Sequence, residues 1–97
     1  MSLLVYYTPR AKETLISVYT FLNQKFGNRA ADKFVTKAEN TIALLAAQPY
    51  MFKASTIAPE IRIALITRQC SLFYKVTESS VQLLFFWDNR QDPLFFL

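Results

Sequence analysis

The 97-residue chain has no histidine, a single cysteine and a single glycine. Without imidazole, no side chain has an ordinary pKa suited to general-base work near neutral pH, and the commonest nitrogen ligand of metal sites is missing. One thiol, Cys70, can form neither an internal disulfide nor a zinc site. Its place at the start of an apolar run marks it as packing rather than as a reactive nucleophile. The lone Gly27 cannot supply a glycine-rich phosphate loop. The longest apolar runs, such as Val81 to Trp87, fall far short of the roughly 18–20 residues that span a bilayer. The opening MSLLVYYTPR lacks the basic n-region and small-residue cleavage site of a secretory signal. A soluble, cytoplasmic protein is expected, without metal or cofactor.

What the chain does have is apolar surface and positive charge. Hydrophobic residues make up 53% of it, with nine Phe, five Tyr and one Trp. A chain this short builds one core, so a single domain over residues 1–97 is expected, and it buries only roughly 60–65% of the surface its unfolded form exposes. Some apolar surface must stay outside, where it marks a protein partner. Eleven Lys and Arg against seven Asp and Glu give a net charge of +4, which favours an anionic partner.

Leu3 to Tyr7 is a short β-rich run that stops at Thr8-Pro9, a pair suited to an N-cap followed by proline at the first helical position. Ala11, Leu15, Val18, Tyr19, Leu22 and Phe26 then recur at three- and four-residue steps, the stripe of an amphipathic helix ended by Gly27. Asn28 is read as the cap of a second helix with the stripe Ala31, Phe34, Val35, Ala38, Ile42 and Leu45, stopped by Gln48-Pro49. The two helices form a hairpin. Residues 49–59 lose periodicity and read as a surface loop.

Ile61 to Thr67, Cys70 to Thr77 and Val81 to Asp88 are β-branched and aromatic runs separated by short polar breaks, a meander of antiparallel strands. Phe85, Phe86 and Trp87 are apolar on both parities, which places the last strand centrally. The expected architecture is α+β, in the order β-α-α-β-β-β, with the helical hairpin on one face of a small, mostly antiparallel sheet. Alternation sets Arg62 against Ile61 and Ile63, and Lys75 against Tyr74 and Val76. Both cations are therefore expected to point away from the helices and make the other face positive. The close Asp88-Asn89-Arg90-Gln91-Asp92-Pro93 is the densest polar cluster in an apolar chain. It reads either as a self-satisfied turn or as the seat of a functional arginine.

The strands IRIALITRQCSLFYKV and the ending VQLLFFWDNRQDP resemble the RelE/ParE family of toxins from bacterial type II toxin–antitoxin pairs, over nearly the whole chain. The most telling pieces are Arg62, the run Phe73-Tyr74-Lys75-Val76, and the Asn-Arg-Gln-Asp-Pro close. The resemblance implies one of two activities. RelE-like members cut mRNA on the ribosome, which requires groups to move protons and neutralise the phosphorane; Arg62, Arg68, Tyr74 and Arg90 are the candidates for that. ParE-like members poison DNA gyrase by binding. Here Ala64 and Ser71 stand where further cations would be expected, Gln91 stands near a usual arginine, and Leu97 ends the chain where the nuclease pattern has tyrosine. The depleted set favours the ParE-like reading, with Arg62, Lys75, Asn89 and Arg90 as target contacts. The alternatives are a ribosome-dependent endoribonuclease and an inactive binding module of the same fold. The resemblance also implies a cognate antitoxin, for which Tyr50, Phe86, Phe95 and Phe96 are the candidate contacts.

Overall fold

The computed structural model describes residues 2–89. Its elements are β1 (Leu4–Tyr7), α1 (Pro9–Phe26), α2 (Asn28–Ala47), β2 (Ile61–Thr67), β3 (Cys70–Val76) and β4 (Ser80–Asp88), in the expected order. Arg90, Phe95 and Phe96 lie outside the described residues.

Thr8 joins strand to helix. Its Oγ1 accepts from the Ala11 backbone N–H at 3.1 Å as the N-cap of α1, with Pro9 at the first helical position. The same hydroxyl donates to the Leu83 carbonyl at 2.7 Å, so the cap also ties α1 to β4. At the other end Gly27 takes φ +95°, a left-handed value that costs glycine nothing, and its N–H donates to Asn23 O at 3.0 Å. Gly27 also serves as the N-cap of α2, so Asn28 is already helical and makes no cap bond. The expected role for Asn28 fails because a one-residue link leaves no second extended position between the helices.

The sheet order is β1-β4-β3-β2, with β1 parallel to β4 and the other pairs antiparallel. β4 occupies the expected interior place. Its apolar residues on both parities have a local cause, because Phe73 pairs with Phe85 and Tyr74 with Leu83, leaving Leu84 as an extra residue, a β-bulge. The bulge shifts the alternation by one. Val81, Leu83 and Phe86 face the helices, whereas Phe85 and Trp87 join Phe73 on the opposite side. β1 has already left the sheet edge at this point, and the Phe86 N–H finds its acceptor in Thr14 Oγ1 of α1, at 2.9 Å.

The core lies between the hairpin and one sheet face. α2 supplies Phe34, Ala38, Ile42 and Leu45, packed on Ala64, Ile66, Leu72, Tyr74, Val81, Leu83 and Phe86, with Phe34 and Phe86 edge to face at 6.3 Å. In α1 only Ala11 is fully buried; Leu15, Val18 and Leu22 pack half-buried along the margin. Phe26, expected in the α1 stripe, is 63% exposed, and its ring lies 5.9 Å from Lys25 Nζ. The opposite face of the sheet carries its own aromatic cluster, in which Phe73 stacks on Phe85 at 4.6 Å and Trp87 meets Phe85 edge-on.

Candidate functional site

The cations expected on one face are divided between two. Arg62 pairs across the ladder with Tyr74, and Tyr74 belongs to the core beneath the helices. Arg62 therefore shares the parity of Ala64 on the helix side, opposite to the expectation. Ile61 and Ile63, core-like in sequence, flank the outer cluster of Phe73, Phe85 and Trp87 rather than the face beneath the helices. Lys75 pairs with Ile61 and Gln82 and is exposed on that outer side, as expected. Arg62 is half-buried. Its Nη1 donates to the Phe52 carbonyl at 2.6 Å, and its guanidinium lies 4.8 Å from the centre of the Tyr50 ring.

Two further candidates are withdrawn from solvent. Tyr74 is fully buried and its hydroxyl donates to the Pro49 carbonyl at 2.8 Å. Burial raises its pKa above the usual tyrosine value, against the opposing pull of Arg62, so it is unavailable as a surface proton donor. Phe86, expected at the antitoxin contact, is 3% exposed and packed against Phe34. The bulge turned it inward, so a partner could reach it only by opening the core. Cys70 is buried as expected, and desolvation pushes its thiol up to about 12.

The polar close of β4 begins as a staple. The Asn89 backbone N–H donates to Gln69 O at 2.9 Å, its Oδ1 accepts from Ser71 Oγ at 2.7 Å, and its Nδ2 donates to Arg68 O at 3.3 Å. The amide of Asn89 holds the strand end to the β2–β3 turn, which also presents the exposed Arg68 to solvent. Ser71, read as a missing cation, is one of its anchors.

Features not anticipated from sequence lie around the helices. A groove of about 190 Å³ is lined by Val18, Phe21, Leu22, Phe34, Cys70 and Asp88. An adjoining hollow shares Leu22 and Phe34 and is edged by Lys33 and Lys37. The i, i+4 spacing of these lysines was a legible signal, since that step puts both on one side of a helix. Arg10 lies 4.8 Å above the Phe85 ring on the outer sheet face, an approach that depends on the bulge. Among the described residues no group of three or more His, Cys, Asp or Glu could hold a metal ion, and no helix is long and apolar enough to cross a membrane.

This arrangement of a helical hairpin on a four-stranded sheet is shared with solved structures. One described as "Chromosomal ParDE TA system from P. aeruginosa" aligns with a TM-score of 0.77 at 20% identity, covering 90% of this chain and 96% of that one. The YoeB dimer from Staphylococcus aureus aligns with a TM-score of 0.63 at 15% identity, covering 88% and 94%. YafQ from E. coli strain BL21(DE3) gives 0.62 at 11%, covering 96% and 97%. No curated protein matches the sequence. The family model described as "ParE toxin of type II toxin-antitoxin system, parDE" matches residues 5–93. The chain belongs to that toxin family, and membership implies an antitoxin partner.

Proposed function

We propose that this chain inhibits growth by binding and poisoning DNA gyrase, and that a cognate antitoxin silences it. The observation that carries the reading is the withdrawal of the candidate proton-transfer groups from the surface. Tyr74, the tyrosine of the basic strand, is fully buried with its hydroxyl committed to Pro49 O. Cys70 is buried with a raised pKa, and the chain has no histidine. RNA cleavage needs a group to take the 2′-hydroxyl proton and another to protonate the leaving oxygen, each worth about a hundredfold or more in rate. Binding needs neither. Membership of the ParE family supports the same choice. Lys75 and Arg90 are offered as target contacts, and Phe95 and Phe96 as antitoxin contacts.

The test compares two assays on the purified chain. Inhibition of gyrase supercoiling at stoichiometric levels, with mRNA intact in a translation extract, is the expected result. Cleavage of mRNA with supercoiling unaffected transfers the function to the ribosome-dependent nuclease reading. Inactivity in both, together with normal growth on expression without antitoxin, assigns an inert binding module.

A further inference from the structure

Residues 48–60, between α2 and β2, carry the exposed side chains of Tyr50 (67%), Met51 (48%) and Ile57 (51%), with Lys53 exposed among them. Irregular segments with so much surface apolar area are ordinarily loosely held. This one is fastened along its length. Tyr74 donates to Pro49 O, Arg62 to Phe52 O, and the Ile63 N–H to Lys53 O at 3.2 Å. The Ser55 N–H donates to Ile61 O at 2.7 Å, and Ala54 forms a bridge to Arg62. Ser55 Oγ accepts from the Ile57 and Ala58 N–H groups, closing the segment on itself. The Phe52 ring packs edge to face on Tyr74 at 6.5 Å.

We infer that Arg62 is a positioning residue: it acts through this loop, holding Tyr50, Met51 and Lys53 as the surface that engages the target, without touching the target itself. The inference rests on the protein-binding reading above. Arg62 lies on the helix-covered side of the sheet, with one nitrogen on a carbonyl and its plane against Tyr50. One nitrogen and one face of the guanidinium are thereby committed within the chain. An exposed aromatic ring braced by Arg62, with an adaptable apolar chain and a positive charge beside it, has the make-up of a binding anchor, because the braced ring has less side-chain entropy left to lose on docking. The matching partner is a protein surface offering an apolar pocket edged by carboxylates.

The experiment pairs a structural readout with a functional one in Arg62→Ala, Arg62→Lys and the double variant Tyr50→Ala/Lys53→Glu. Limited trypsin digestion of the full chain follows cleavage after Lys53, with the Arg68 turn as internal reference. Losing a charged hydrogen bond should raise loop opening, and hence cleavage after Lys53, by about tenfold in Arg62→Ala and less in Arg62→Lys, with the Arg68 site unchanged. Gyrase inhibition should fall in the same order, and the double variant, which no longer carries the Lys53 cleavage site, should lose inhibition while its cleavage after Arg68 and its thermal midpoint stay near wild type. Unchanged digestion in Arg62→Ala with lost inhibition makes Arg62 a direct contact and overturns the inference. So does full inhibition by the double variant, or loss of antitoxin neutralisation alone. If wild type leaves gyrase untouched, the target reading fails on its own, and digestion still decides whether Arg62 holds the loop.

Discussion

The two helices of the hairpin are nearly equal in length and similarly striped, yet they are used differently. α2 buries Ala31, Phe34, Ala38, Ile42, Leu45 and Ala46, whereas α1 buries only Ala11. α1 leaves Ile16, Phe21 and Phe26 largely in solvent and connects to the sheet by hydroxyls: Thr8 to Leu83 O and Thr14 to the Phe86 N–H. One helix is anchored by packing, the other at its first turns by hydrogen bonds, and the groove opens along the second half of the latter. Amphipathic periodicity alone does not tell the two apart, since it reports which side of a helix faces inward and not how far the partner surface extends.

The sharpest way to break this contrast is Phe34→Ala, which removes a ring wedged against Phe86 and should cost about 3–5 kcal/mol in urea unfolding. A loss below about 1 kcal/mol would show that α2 is not the anchor.

Alkaline pH probes the same core through Cys70. Its folded pKa is raised by burial to about 12 from 9.0, so the folded state keeps a proton that the unfolded chain gives up. The resulting stability is complete below about pH 9 and is lost as pH rises toward 12, at up to about 1.4 kcal/mol per pH unit. Tyr74, also raised by burial, adds to the loss at the upper end. Urea midpoints against pH should fall over this range, and Cys70→Ala should flatten its lower part. An unaltered slope in that variant would remove Cys70 as the cause.

For α1, Thr14→Val keeps the shape but strands the Phe86 N–H, and should cost about 1–3 kcal/mol, with Thr14→Ser restoring most of it. The smallest effects belong to the solvent side: Phe26→Ser and Ile16→Ser should each shift stability by no more than about 0.5 kcal/mol. A larger cost at Phe26 would mean that its contact with Lys25 holds the last turn of α1.

Much of the fold was readable because local signals agreed. The Thr8-Pro9 start, the Gly27 break and the Gln48-Pro49 stop each act within a few residues, and the α2 stripe is regular enough to expose its core. The site was less readable. The face of Arg62 is not legible, because Ile61 and Ile63 look like core residues in sequence, and they do pack, but against the aromatic cluster on the other side. Phe86 is one of several surplus aromatics in sequence and reads as a partner contact, and no alternation count from Val81 can register the extra residue at Leu84 that turns it inward. The bonds that the Asn89 amide makes to Ser71 and Arg68 join residues far apart along the chain, which no local signal announces.

By itself the sequence determined the element order, the hairpin and the lack of imidazole, because these follow from residue type and short-range spacing. Tertiary structure alone decided which way Arg62 and Phe86 point and whether Tyr74 meets water. Those outcomes hang on a bulge and on bonds between residues such as Arg62 and Phe52, or Thr14 and Phe86. A strand's alternation names two faces, and only packing against the rest of the chain says which one is inside.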